Sequence, residues 1–136
     1  MPVALLLITH DRVGEALLST ARKTLDADPL PSQVLSVDWC CEPKQLIQQA
    51  RQQVAQLDQG EGVLVLTDMY GATPSNVACA LSALPRVKVI AGLNLPMLIR
   101  VLNYPGLRLE ELAQKALSGG REGIMDCRIV CFEENP

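Results

Sequence analysis

With a single histidine, five cysteines that form no CxxC pair and an aromatic share of only 3%, this chain is short of the residues that build most metal and redox centres. One histidine excludes a His-rich metal centre, and the odd, scattered Cys40, Cys41, Cys79, Cys127 and Cys131 indicate neither a zinc site nor a disulfide framework. Basic residues do not cluster beyond the Arg22-Lys23 pair, and the formal charge is −3. That leaves no electrostatic footprint for nucleic acid. No apolar run approaches the roughly 18 residues a membrane-spanning helix needs, and Met1-Pro2 leads straight into Val3–Ile8 without a basic n-region, so the expected place is the cytoplasm. Neither GxxxxGK[ST] nor GxGxxG after a strand is found, so no nucleotide cofactor, and no cofactor of any kind, is expected.

What is present is aliphatic. Apolar residues make up 49% of the 136 positions and charged residues 20%, the balance of a globular domain with a substantial core. One domain over residues 1–136 is expected, with 124–136 as a C-terminal strand and tail. Val3–Thr9 is short and continuously apolar, the pattern of a strand buried on both faces. A helical stripe follows from Val13, ended by Pro29 and Pro31. Gln33–Trp39 reads as a strand, Lys44–Gln59 as a helix, Val63–Thr67 as a strand and Ser75–Leu84 as a helix. Val87–Ala91 is a fourth strand, after which Gly92–Pro96 turns into a helix bearing Leu95, Leu98, Ile99 and Leu102, and another short helix spans Leu109–Leu117. Gly119, Gly120 and Gly123 then bracket a break before a last strand over Ile124–Phe132. Strands alternating with helices at this spacing predict an α/β fold with an open, mainly parallel four-stranded sheet and flanking helices.

In such sheets, ligands gather past the carboxyl ends of the strands. His10 follows the first strand, Asp68 follows the third, and Thr73-Pro74 opens the helix that leaves it. Each has an ordinary explanation: a lone surface histidine, a turn aspartate, and a threonine that caps a helix. Together they supply complementary chemistry. A neutral imidazole is a nucleophile toward phosphorus, a carboxylate on its other nitrogen fixes the tautomer, and amides at a helix start favour an anion. Gly71 and Ala72 keep the turn small enough for a partner to approach and, with Thr73, form the expected phosphoryl-stabilising loop. Tyr70 and Met69, with Leu95, Pro96 and Met97, are either an apolar rim for a partner protein or core, and Asn94 belongs to the same candidate surface. A phospho-aspartate receiver is disfavoured because Asp11 has no acidic neighbour to complete a Mg²⁺ pocket.

The stretches Ile8-Thr-His10, Asp68-x-Tyr-Gly-Ala-Thr-Pro-x-Asn76, Val89-Ile-Ala-Gly-Leu-Asn-Leu-Pro-Met97-Leu and Gly120-Arg-Glu-Gly123 occur in this order over most of Met1–Arg128. As a set they resemble the IIA domain of the mannose-type sugar phosphotransferase system. The resemblance implies that His10 is phosphorylated, that Asp68 pairs with it and that Thr73 contacts the phosphoryl group. It implies the small histidine phosphocarrier HPr as donor, a separate IIB-type protein or a regulatory target as acceptor, contact with a membrane transporter that is peripheral at most, and a homodimer that exchanges its final strand. The family often has Ser and a second Gly where this chain has Thr73 and Ala72, which keeps the hydroxyl but stiffens the turn. Many relatives also continue into a IIB domain, whereas this sequence ends at Pro136. Two alternatives stay open: the phosphoryl donor subunit of a dihydroxyacetone kinase system, and a signalling or interaction module without phosphoryl turnover.

Overall fold

The strand that carries His10 is the axis of the molecule. In a computed structural model that describes residues 2–39 and 42–127, β1 (Ala4–His10) lies between β2 (Ser32–Val37) and β3 (Val63–Thr67), with β4 (Val87–Ala91) outside β3. All three pairings are parallel, and the register sets His10 opposite Val37 and Ile8 opposite Thr67. Five helices connect and cover the sheet: α1 (Val13–Leu25), α2 (Pro43–Leu57), α3 (Thr73–Ala80), α4 (Leu95–Leu102) and α5 (Leu109–Glu122).

The unbroken apolar run of β1 is explained by burial on both sides, because alternate residues face opposite cores. Leu5 and Leu7 join Leu64 and Leu66 against α1, α4 and α5, whereas Ala4, Leu6 and Ile8 join Val63 and Val65 against α2 and α3. Each leucine fully removed from water contributes about 1.5–3 kcal/mol relative to exposure. The chain steps from β1 to β2 on one side and then returns across β1 to β3. This reversal opens a crevice at the carboxyl ends of β1 and β3.

The predicted α/β architecture and the four parallel strands are found; β2 ends at Val37, not Trp39, α3 runs over Thr73–Ala80, not Ser75–Leu84, and three further details differ. First, α1 ends at Leu25, four residues before Pro29; its C-cap Asp26 is left-handed (φ 50°) and donates its N–H to the Arg22 and Lys23 carbonyls. Second, Gly119 and Gly120 do not break α5; they are buried inside it and let it lie close on α4. A β-carbon at Gly119 would stand 2.5 Å from the Arg100 Cβ, and one at Gly123 would collide with the Pro96 ring. Close packing, not turn chemistry, requires these glycines. Third, Ile124–Cys127 has no strand geometry, and the rest of the expected final strand, with its exchange in a dimer, lies outside the described residues. No described helix is long and apolar enough to cross a membrane.

Candidate phosphoryl-acceptor site

His10 is the last residue of β1 and Asp68 the first after β3, so two adjacent strands deliver the pair to one edge of the sheet. The turn that leaves His10 is tightly held. Asp11 adopts φ 38°, a conformation that aspartate tolerates better than most residues, and its N–H donates to the Val37 carbonyl at 3.2 Å. Behind it, Thr9 Oγ1 accepts the Gly14 N–H at 2.8 Å, and a β-carbon on Gly14 would fall 2.8 Å from that same oxygen. Gly14 thus lets α1 begin against the base of the site.

One oxygen of Asp68 takes two bonds from His10: the main-chain N–H donates to Oδ2 at 3.0 Å, and ring Nδ1 lies 2.9 Å from the same atom. The other oxygen, Oδ1, accepts the Met69 N–H at 3.0 Å. An ionised carboxylate only accepts, so Nδ1 carries the ring proton and Nε2 holds the free lone pair. The pair is partly sheltered, with side-chain exposures of 27% for His10 and 13% for Asp68. His10 opens onto a cleft of about 100 Å³ lined also by Val37, Asp38, Trp39, Pro43, Thr73 and Pro74.

The helix start differs from the sequence expectation in its cap. Ala72, not Thr73, holds the N-cap position, Thr73 and Pro74 are the first two helical residues, and no side chain caps this end. Ser75, which sequence reasoning gave no role, ties the turn instead: its Oγ accepts the Gly71 N–H at 2.8 Å and donates to the Ala72 carbonyl at 3.0 Å. Gly71 sits at φ +89°, where a side chain would be strained. Thr73 is therefore exposed and without a capping bond, and it faces the same cleft as His10.

The candidate partner surface divides. Tyr70 is 81% exposed and Met69 58%, both beside Asp68. Met97, by contrast, is 3% exposed and belongs to the core with Leu98 and Val101. Asn94 is occupied internally: its Oδ1 accepts the Met97 N–H at 2.9 Å and caps α4, and its Nδ2 donates to the Gly120 carbonyl at 3.1 Å. Pro96 is exposed but packs beside Gly123, outside the cleft of His10. The Asn94-Leu-Pro-Met97 stretch thus builds the α4–α5 junction, and Met97 is withdrawn from the surface because its side chain fills that junction. Sequence reasoning also passed over Trp39, reading it as the end of a strand; it stands past β2, 86% exposed, with its ring centroid 6.1 Å from that of His10. Among the described residues, no group of three metal-ligating side chains comes together.

A family model described as EIIA-man, PTS system fructose IIA component, matches residues 4–117. The mannose-specific EIIAB component of Escherichia coli K12 is 33% identical over 132 residues, which cover 91% of this chain and 39% of that protein. The chain therefore spans well under half the length of the curated relatives it matches. A mannose/sorbose-specific IIA subunit from Enterococcus faecalis superposes with a TM-score of 0.83 at 25% identity, over 94% of this chain and 96% of that one. The EIIA component from Streptococcus agalactiae, at 24% identity and a TM-score of 0.78 over 91% and 96%, shares the fold. With the match running through both strands that carry His10 and Asp68, the chain belongs to the EIIA-man family, the mannose-type IIA components of the sugar phosphotransferase system.

Proposed function

We propose that this chain is a phosphohistidine carrier, with Nε2 of His10 as the atom that receives and releases the phosphoryl group. The observation that carries this reading is the double hold of Asp68 Oδ2 on His10, at 3.0 Å to the main chain and 2.9 Å to Nδ1. It supports a single tautomer whose free lone pair lies at Nε2.

The donor is a phosphohistidine protein of the HPr type. The lone pair of Nε2 attacks phosphorus roughly in line with the scissile bond. The new N–P bond forms as the donor's N–P bond breaks, and the donor imidazole leaves with that electron pair. Positive charge develops on the His10 ring during the transfer, and the carboxylate of Asp68, already at Nδ1, stabilises it. Phosphoryl oxygens meet the Thr73 hydroxyl and the free amides at the start of α3. Release to the acceptor is the same displacement in reverse.

The acceptor is a IIB-type domain, a reading supported by the EIIAB name of the Escherichia coli relative. The carrier works peripherally to a sugar transporter and pairs as a homodimer. Exposed Ile124 and Met125, and β4 at the sheet edge, are the surfaces that dimer would cover.

Incubation with phosphoenolpyruvate and the general phosphotransferase proteins tests the reading by intact mass. One added phosphoryl group, absent without HPr and discharged by a IIB domain, is expected. No uptake would contradict the carrier role, and discharge only to the bound nucleotide of a dihydroxyacetone kinase would reassign the acceptor.

A further inference from the structure

Trp39 is the only tryptophan in the chain, and folding does not explain where it stands. At 86% exposure its indole leaves apolar surface in water. Its ring centroid nevertheless lies 6.1 Å from that of His10, with the planes inclined by 45°. Aromatic rings attract one another at centroid separations of about 4.5–7 Å when offset or tilted.

The sheet order makes this contact informative. β1 has β2 on one side and β3 on the other, so His10 receives Asp68 from one neighbouring strand and Trp39 from the opposite one. A hydrogen bond to Nδ1 fixes the tautomer and one corner of the imidazole, but it leaves the ring plane free to tilt about the Nδ1···Oδ2 direction. An indole against the ring restricts that tilt. Both rings line the same cleft, with Pro43 at the head of α2.

We propose that Trp39 is a positioning residue for His10, holding the imidazole plane so that Nε2 faces the cleft occupied by Thr73. This rests on the phosphocarrier reading above, and it assigns the exposed indole a role inside the site rather than in the core. In-line displacement needs the lone pair aligned with phosphorus, so a ring free to tilt reacts more slowly without any change in its tautomer.

Trp39→Ala and Trp39→Phe test the proposal cleanly, because a side chain this exposed should be replaced with little effect on the melting midpoint. His10 is loaded with phosphoramidate, a small donor that needs no docking surface: the Nε2–P bond forms as the P–N bond of phosphoramidate breaks and ammonia leaves. Trp39→Ala should load about 2- to 10-fold more slowly than wild type, the range open to one aromatic pair. Trp39→Phe should restore most of the rate. In the unphosphorylated protein, the ring-proton resonances of the single histidine should shift in Trp39→Ala as the indole ring current is lost. A wild-type loading rate, or unmoved ring resonances, would overturn the proposal, even if loading from a protein donor fell, which would make Trp39 a docking residue. Failure of the carrier reading has a different signature. Wild-type protein would refuse phosphoryl from HPr, while the phosphoramidate and resonance measurements would still report on Trp39.

Discussion

Asp68 Oδ2 grips His10 at two points, the main-chain N–H at 3.0 Å and ring Nδ1 at 2.9 Å, so one atom sets both where the strand ends and which ring nitrogen is free. The tautomer is thereby tied to the backbone path of β1, and the two cannot be altered separately at Asp68.

Replacing Asp68 with Asn tests that coupling. The amide keeps an acceptor but loses the charge that stabilises a phosphorylated ring, and its NH₂ group can satisfy either tautomer. Single-turnover loading from phospho-HPr should slow by about tenfold or more. Stability should fall by only about 1 kcal/mol for the weakened main-chain bond. An unchanged rate in a folded variant would remove Asp68 from the chemistry.

Thr73 and Ser75 divide the work that the sequence alone assigned to Thr73. Ser75→Ala removes the bridge between Gly71 and Ala72 and should cost about 1 kcal/mol in denaturant unfolding. Thr73→Ala, at an exposed position with no capping bond, should change stability by less than about 0.5 kcal/mol and should slow phosphoryl uptake. Thr73→Ser should be nearly silent in both measurements. Thr73→Asp should fold and block uptake through like-charge repulsion. A Thr73→Ala variant that is destabilised but loads normally would make Thr73 structural.

Gly119→Ala places two effects in opposition. Alanine favours a helix interior by about 1 kcal/mol over glycine, whereas forcing a methyl into a packed contact costs about 1–3 kcal/mol. The added carbon would stand 2.5 Å from the Arg100 Cβ and 2.8 Å from its Cγ, too near the backbone for the side chain to swing aside, so a net loss of about 1 kcal/mol is expected. Thermal unfolding decides it; a more stable variant would mean that α4 and α5 are not in close contact.

Asp58 supplies a pH test remote from the site. Burial pushes its carboxyl up, but the Gly60 N–H, the Arg86 guanidinium and the Gly62 N–H together outweigh this and hold it below the ordinary value of 3.8. A carboxyl lowered by folding contributes stability above its unfolded pKa and loses it as pH falls through the folded one. The stability gap between wild type and Asp58→Asn should therefore be full at neutral pH and close below about pH 4. Urea midpoints across that range check it, and a gap that widened on acidification would reverse the assigned shift.

Much of this was legible in the sequence, for identifiable reasons. Val63–Thr67 and Val87–Ala91 were legible with the bounds observed because β-branched, apolar-rich runs stand between polar turns; β3 is buried along its whole length, whereas β4, at the sheet edge, carries a half-buried Lys88. His10 and Asp68 were legible because parallel topology brings strand ends together. Gly119 and Gly120 were misread because glycine marks both turns and close helix contacts, and only the partner helix tells which applies. Thr73 was misread as a cap because Thr-Pro fits the helix entry in two registers, and the Ser75 bridge that selects one depends on a turn geometry that residue types do not reveal. Trp39 left no signal, since its neighbour is 29 residues away in sequence and on another strand.

The central claim, that Nε2 of the single histidine carries the phosphoryl group, is open to one direct measurement: the phosphorus–nitrogen coupling in ¹⁵N-labelled, HPr-phosphorylated protein. With one imidazole in the chain there is no ambiguity of assignment. We predict coupling of phosphorus to Nε2 alone, a protonated Nδ1, and no label in His10→Ala. Phosphorus coupled to Nδ1, or a phosphoryl group retained by His10→Ala, would contradict the account.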